Sequence, residues 1–303
     1  MHLCTYALTK KCLSYSAVMA ALLGLGMVSG CMFFKLEEGR PLEKDGYTCV
    51  WQDEFDYTGV PRSSKWTYQE GASGWGNNEI QNYVANPNGT SEASATAWVD
   101  GEVLHIKAYK DGGQWKSARM NSLGSWNGNE TGVIVEARLK VTDKKGAWPA
   151  FWMMPVGKDS FNGKYGYYGE WPASGEIDIM ENAPSTWGFG KAFSTLHAQG
   201  HYGGAGASLG NKTWDHDLSS QWHTFAIKWD EDSITAYYDD LSLKTYTKGD
   251  KNWEDWPYDK DFYIILNLAI GGDLGGTADT GSLPASGVEF LVDYVRVYQK
   301  SSD

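Results

Sequence analysis

Cysteine is scarce: four residues in a chain of 303 cannot brace a domain of this length, and Cys4 and Cys12 fall in the first dozen positions. Positive charge is also in deficit, with 26 Lys and Arg against 38 Asp and Glu and a formal net charge of −12. A polyanion such as nucleic acid is therefore excluded as a natural partner, and a neutral ligand suits the surface better. Long apolar runs are absent beyond the N-terminus, so no other stretch can span a bilayer. Helical periodicity is missing too: no fifteen-residue window after the N-terminal segment carries an i, i+3, i+4, i+7 apolar stripe.

The N-terminus is the exception. Lys10 and Lys11 precede an uncharged stretch, 13–30, that is broken by Ser14, Ser16, Gly24 and Gly26 and closes on Val28-Ser29-Gly30-Cys31. A basic start, an apolar middle and small residues before a Cys are the marks of a secretory signal peptide, and the last four residues resemble a bacterial lipobox. Residues 1–30 are thus expected to be removed, Cys31 to be lipidated, and 31–45 to serve as a polar tether. That places the protein outside the cytoplasm, in a bacterial cell envelope on the outer membrane, touching the membrane only through its lipid. Loss of the leader leaves 24 basic and 38 acidic residues, or −14. Cys49 is then the one remaining thiol, so the fold has to stand on its core, which roughly 270 residues can supply.

What the chain does have is aromatics, at 14% with 15 Trp, and strand-like segments. "EVLHIKAY" (102–109), "TGVIVEARLKV" (131–141), "WHTFAIKWD" (222–230), "SITAYYDD" (233–240), "FYIILNLAI" (262–270) and "EFLVDYVRVYQ" (289–299) are rich in β-branched and aromatic residues. Gly, Asn, Asp and Ser punctuate them. No repeat or linker interrupts 46–299. These observations predict one all-β domain, a jelly-roll sandwich of two antiparallel sheets.

The chemistry concentrates in "GEIDIMENAP" (175–184), which crowds Glu176, Asp178 and Glu181 into six positions. Strict alternation sends Glu176, Asp178 and Met180 to one face and Ile177 and Ile179 to the core. Glu181 would follow the isoleucines inward, where an unpaired carboxylate is costly. A β-bulge after Asp178 restores it to the carboxylate face. Two carboxyls about 5 to 5.5 Å apart are what a retaining glycosidase needs. At that separation, with an effective dielectric near 20, two charges repel by about 3 kcal/mol, or about two pKa units, so one keeps its proton. Clustered acids on a strand also occur on solvated faces and in calcium sites, and spacing alone leaves those readings open.

Context narrows them. "WPASGEIDIMENAP" resembles the active-site strand of glycoside hydrolase family 16, in its bulged Glu-x-Asp-x-x-Glu branch with the laminarinase-like endo-β-1,3-glucanases. The resemblance continues through "WQDEFD" (51–56), "GWGNNEIQNY" (74–83), "SARMNS" (117–122), "GAWPAFWMMP" (146–155), "STLHAQG" (194–200), "ILNLAIGGDLGG" (265–276) and "VDYVRVYQ" (292–299). It implies a jelly roll with a concave substrate cleft, no catalytic cofactor, and a β-glucan as partner of a monomeric enzyme. It further implies Glu176 as nucleophile, Glu181 as general acid/base and Asp178 as the group that holds the nucleophile. Trp148 and Trp152, four apart on one strand, are implied as the floor of the sugar subsites and Trp171 as a wall. His197 is implied beside the scissile bond, Arg119 as a donor to sugar hydroxyls, Asn78 and Asn267 as polar contacts, and Asn77 as an ambiguous neighbour. Many family members carry a structural calcium ion, for which the matching positions are Glu54, the Gly101 backbone and Asp293.

Two departures stand out. Ser174 replaces a Cys common in laminarinases, and "GKDSFNGKYGYYGEW" (157–171), with three tyrosines, is long for its place and leads straight into the catalytic strand. Substrate choice therefore stays open between laminarin-like β-1,3-glucan, mixed-linkage β-1,3-1,4-glucan and an agarase-like galactan. A surface glycan-binding lipoprotein without turnover is the alternative class. The lipoprotein reading has a direct check: mass spectrometry of the mature N-terminus should show a chain that begins at lipid-modified Cys31, and an unmodified start elsewhere would refute it.

Overall fold

The computed structural model describes residues 44–85, 95–129, 132–157, 165–239 and 241–301. The signal peptide, Cys31 and all but the last two residues of the 31–45 tether lie outside the described residues. Within them the chain forms two large antiparallel sheets, one of eleven strands and one of seven. Helix is limited to two four-residue α segments, Pro184–Trp187 and Gly272–Gly275, and two short 3-10 turns among the described residues.

The six segments singled out for their β-branched and aromatic content all form strands, at Leu104–Asp111, Val133–Lys140, His223–Asp230, Ser233–Tyr238, Phe262–Ile270 and Val288–Lys300. Five of them build the eleven-stranded sheet. On its inner face Val135, Ala137, Leu139, Phe225, Ile227, Val295 and Val297 alternate with outward residues, as period-two sequence dictates. The sixth, Phe262–Ile270, is buried along its whole length. It runs through the middle of the second sheet, in the order Ala207–Thr213, Lys191–His197, Glu176–Glu181, Ala147–Pro155, Phe262–Ile270, Arg119–Asn121, Thr67–Tyr68. The inner faces of both sheets meet in a single apolar core.

Gly175 is required at the entrance to the Glu176–Glu181 strand. It has φ +87°, and a Cβ there would stand 2.8 Å from Pro257 Cγ and 3.1 Å from Tyr258 Cε1. The loop before the Phe262–Ile270 strand thus packs directly onto the start of the acidic strand.

The two carboxylates among the positions expected to hold calcium each have an arginine partner. Glu54 accepts two hydrogen bonds from Arg296, from Nε at 2.7 Å and Nη2 at 2.8 Å. Asp293 is paired with Arg138 Nη1 at 2.9 Å. Gly101, φ +105°, sits in the turn that leads to the Leu104–Asp111 strand. Guanidinium groups answer both carboxylates: Glu54–Arg296 ties the end of the N-terminal strand to the C-terminal strand, and Asp293–Arg138 joins that strand to Val133–Lys140. Glu54 is 5% exposed. Its removal strands a largely buried guanidinium, and Glu54→Ala is expected to lower unfolding free energy by roughly 3 kcal/mol. Urea unfolding measures this, and the paired change Glu54→Met/Arg296→Met should cost less than the single one; a single-variant loss near zero would show that the pair bears no strain of burial.

Candidate active site

A cleft of about 610 Å³ crosses the outer face of the seven-stranded sheet. Along Ala147–Pro155 the residues Trp148, Ala150, Trp152 and Met154 point into it while Ala147, Phe151 and Met153 point into the core. The two tryptophans four apart do share a face. Beside them stand Glu176, Asp178 and Glu181 from the neighbouring strand, Arg119 and Asn267 from the other side, and Trp171 at the wall.

Glu181 reaches that face because the strand carries one extra residue. Ala150 pairs with Glu181 and Phe151 with Met180, but Trp152 pairs with Asp178, which leaves Ile179 without a partner in the register. The other neighbour shows the same slip, Asp178 opposite Thr195 and Glu181 opposite Phe193. The backbone groups loosened by the bulge are caught from outside the ladder: Ser194 Oγ donates to the Asp178 carbonyl at 2.7 Å and Tyr238 Oη to the Ile179 carbonyl at 3.0 Å. Met180 is a correction to simple alternation. It does not share the carboxylate face but packs in the core with Ile177 and Ile179, fully buried, because the bulge turns two successive side chains inward.

Each acid is held by an indole or by another acid. Trp171 Nε1 donates to Glu176 Oε2 at 2.7 Å, and Trp148 Nε1 donates to Glu181 Oε1 at 2.9 Å. Asp178 is hydrogen-bonded to Glu176. Burial, reinforced by the charge of Glu176, pushes the Asp178 carboxyl well above the usual range. Burial also pushes Glu181 well above its usual range; the charges of Asp178 and Glu176 add to the effect, while His197 and the Trp148 hydrogen bond oppose it. Glu176 is the partly exposed member of the three and is where negative charge is best solvated.

His197 Nε2 lies 3.0 Å from Asp178 Oδ2, out of line for a hydrogen bond. Its ring is confined by Trp171, with centroids 6.3 Å apart, and by Gly206, where a Cβ would come within 2.8 Å of His197 Cε1. Glu176, Asp178 and His197 are also the one group of three potential ligands found among the described residues, with donor atoms within 4.8 Å of one another.

The far wall is organised around Arg119. Its guanidinium lies between the rings of Trp75 and Trp152, 4.7 and 4.6 Å from their centroids, and Nε donates to Gln69 Oε1 at 2.6 Å. Trp152 Nε1 donates to Asn267 Oδ1 at 2.7 Å, Asn267 Nδ2 donates to Tyr83 Oη at 3.0 Å, and Tyr83 Oη donates to Glu79 Oε2 at 3.1 Å. Asn267 therefore orients Trp152 first and meets the cleft second. The two neighbouring asparagines exchange roles relative to expectation. Asn77 lines the cleft, whereas Asn78, at φ +57°, turns its amide to Asp273 Oδ1 at 2.8 Å and does not line it. Glu79, Trp75, Gln69 and Tyr83 went unremarked in the sequence; an acid and an indole inside the Gly- and Asn-rich 74–83 segment were the available signal.

The family model described as "Glycosyl hydrolases family 16" matches residues 81–294 of this chain. The chain belongs to that family. A β-glucanase of Rhodothermus marinus is 33% identical over 289 residues, covering 91% of this chain and 92% of its own. The solved laminarinase from Rhodothermus marinus matches with a TM-score of 0.72 at 32% identity, over 84% of this chain and 98% of that one. The endo-β-1,3-glucanase from Pyrococcus furiosus matches with a TM-score of 0.71 at 32% identity, over 86% and 98%. The family-16 jelly roll is thus the fold of this chain.

Raised carboxyl pKa values carry a stability consequence. Asp178 and Glu181 keep protons in the folded state at pH values where the unfolded chain has lost them. Their contribution is whole below the ordinary carboxylate pKa and is lost as pH rises through the raised values, with a slope of about 1.4 kcal/mol per pH unit for each such proton. Thermal midpoints of Glu181→Gln measured from pH 4 to 9 should decline less steeply than those of the wild-type protein, and parallel curves would show that Glu181 is ionised in the fold at neutral pH.

Proposed function

We propose that this protein is a retaining endo-hydrolase of β-1,3-linked glucan, with Glu176 as nucleophile and Glu181 as general acid/base. The observation that carries the reading is the bulge at Ile179, which brings Glu176 and Glu181, the latter with its carboxyl pKa pushed up by burial, to one cleft face. The β-glucanase and laminarinase names of the relatives support the substrate class.

The chemistry follows from the holding groups. Glu181 transfers its proton to the glycosidic oxygen as the bond from that oxygen to the anomeric carbon breaks, and a Glu176 oxygen bonds to the same carbon. Asp178 and Trp171 donate hydrogen bonds to Glu176 and keep its carboxylate aimed. Esterification removes the Glu176 charge, so Glu181 becomes a stronger acid and remains as carboxylate. It then takes a proton from water while the water oxygen replaces Glu176 at the anomeric carbon. The Trp148 N–H stabilises that anionic form. Two inversions leave the configuration unchanged.

The lining of the cleft bears on the substrate. Trp75, Trp148, Trp152 and Trp171 offer aromatic faces, and Arg119 is the one cation among the described lining residues, against six acids. A sulfated or otherwise anionic galactan is disfavoured by that charge, while the C–H faces of neutral glucose rings match the indoles. The presence of an acid poised to protonate a leaving group favours turnover over a binding role alone.

Reducing-sugar release from laminarin tests the assignment. Glu176→Ser should lower kcat by about 10³-fold or more, and Glu181→Ala by about 10²- to 10⁴-fold. For Glu181→Ala the deficit in the first step should shrink on an oligosaccharide with a nitrophenyl leaving group, whose oxygen departs without a proton. Wild-type turnover in Glu176→Ser would defeat the proposal.

A further inference from the structure

Four large aromatic side chains stand exposed where the Glu176–Glu181 strand begins: Tyr167 at 70%, Tyr202 at 48%, Trp253 at 40% and Trp171 at 39%. Trp171 lines the cleft, and Tyr202 packs edge-on against it with centroids 5.8 Å apart. Tyr167 and Trp253 lie outside the cleft, where exposed rings ringed by polar groups mark a ligand surface rather than a folding requirement.

These rings are held in place. Tyr165–Gly166 and Gly169–Glu170 pair as a short hairpin with Tyr167 and Tyr168 at its tip. Tyr168 stacks on Trp253, with centroids 5.6 Å apart and planes at 13°. Its hydroxyl lies 2.9 and 2.8 Å from the two carboxylate oxygens of Asp259. Lys260 Nζ is 3.1 Å from Asp259 Oδ2 and 4.5 Å from the centroid of the Tyr167 ring. Tyr167 in turn meets Tyr168 edge-on at 5.0 Å. Such a surface loses little freedom when it binds.

The surface is continuous with the cleft. The hairpin that carries Tyr167 and Tyr168 at one end has Glu170 and Trp171, which line the cleft, at the other. Two strand residues, Gly169 and Glu170, separate Tyr168 from Trp171, at most roughly 10 Å of chain. The loop that carries Trp253 is joined to the turn beside Tyr202, where the Gly200 N–H donates to the Glu254 carbonyl at 2.7 Å. Asp259 and Lys260 cancel each other's charge, so the rim offers hydrogen bonds without a net field.

We propose that Tyr167, Tyr168 and Trp253, rimmed by Asp259 and Lys260, form an outlying sugar platform that grips a further stretch of the same neutral polysaccharide chain. This rests on the assignment of glucan cleavage to the cleft. Pyranose C–H faces lie against the rings, and hydroxyls meet the Lys260 ammonium and the Asp259 carboxylate. The platform raises affinity for long chains by adding a second contact on one molecule.

Kinetics of the full mature chain on long laminarin and on a β-1,3-linked glucotetraose, too short to reach both places, test the idea. Tyr167→Ala/Trp253→Ala should raise KM for laminarin on the order of tenfold, equivalent to about 1.4 kcal/mol, with kcat and the tetraose kcat/KM held within about twofold. Tyr167→Phe/Trp253→Phe should restore most of the laminarin affinity. Equal losses on both substrates, or no change on either, would overturn the platform, as would a wild-type dimer that the alanine pair dissociates. Electrophoresis of Glu176→Ser through a laminarin-containing gel, with and without the alanine pair, reads binding apart from turnover. Lost retardation supports the platform even where the wild-type chain cleaves neither glucan; retained retardation overturns it and leaves the cleft assignment standing.

Discussion

One unpaired residue, Ile179, sets the arrangement of the cleft. Without it the Glu176–Glu181 strand would deliver its last acid to the apolar core, where the neighbours are Ile177 and Met180. With it, two side chains in succession fill the core and the third acid turns outward. The extra residue is stable because the structure supplies partners for the loosened carbonyls, one from Ser194 in the adjacent strand and one from Tyr238 across the sandwich. The opposite sheet therefore takes part in the geometry of the acids although it contributes none of them.

Crowding the acids then becomes a source of function. Three carboxyls this close resist ionising together in a buried setting, and burial with mutual repulsion pushes the Asp178 and Glu181 carboxyls well above their usual range. Indoles finish the arrangement. Trp171 gives an N–H to Glu176 and Trp148 to Glu181 while their faces shape the cleft. Trp152 directs its N–H to Asn267 instead and lends its face to Arg119. The aromatic richness of the chain thus serves to position polar groups as well as to line the cleft.

The same economy of parts appears at the margins. Arg296 and Arg138 pair with the carboxylates for which a calcium ion is expected; the Arg296 guanidinium ties the two ends of the domain, and Arg138 fastens the C-terminal strand to its neighbour. On the other side, the long 157–171 segment ends in a hairpin whose tip and base carry aromatics in two different settings, one in solvent and one in the cleft wall. Segments distant in sequence, near 170, 200 and 255, meet at the start of the acidic strand.

The amino-acid sequence by itself determined the strands, because period-two alternation of β-branched and aromatic residues is a local property that burial merely reads out. It also determined the need for a bulge, since Glu176, Asp178 and Glu181 cannot share a face on a regular strand. Tertiary structure decided what depends on partners remote along the chain. Met180 turned inward because the bulge required two consecutive core residues, and Asn77 replaced Asn78 at the cleft because a left-handed backbone aimed the latter at Asp273. Glu54 and Asp293 found their arginine partners in the same way: the identity of a carboxylate's partner is settled by packing, and packing is not written in the spacing of residues on one strand.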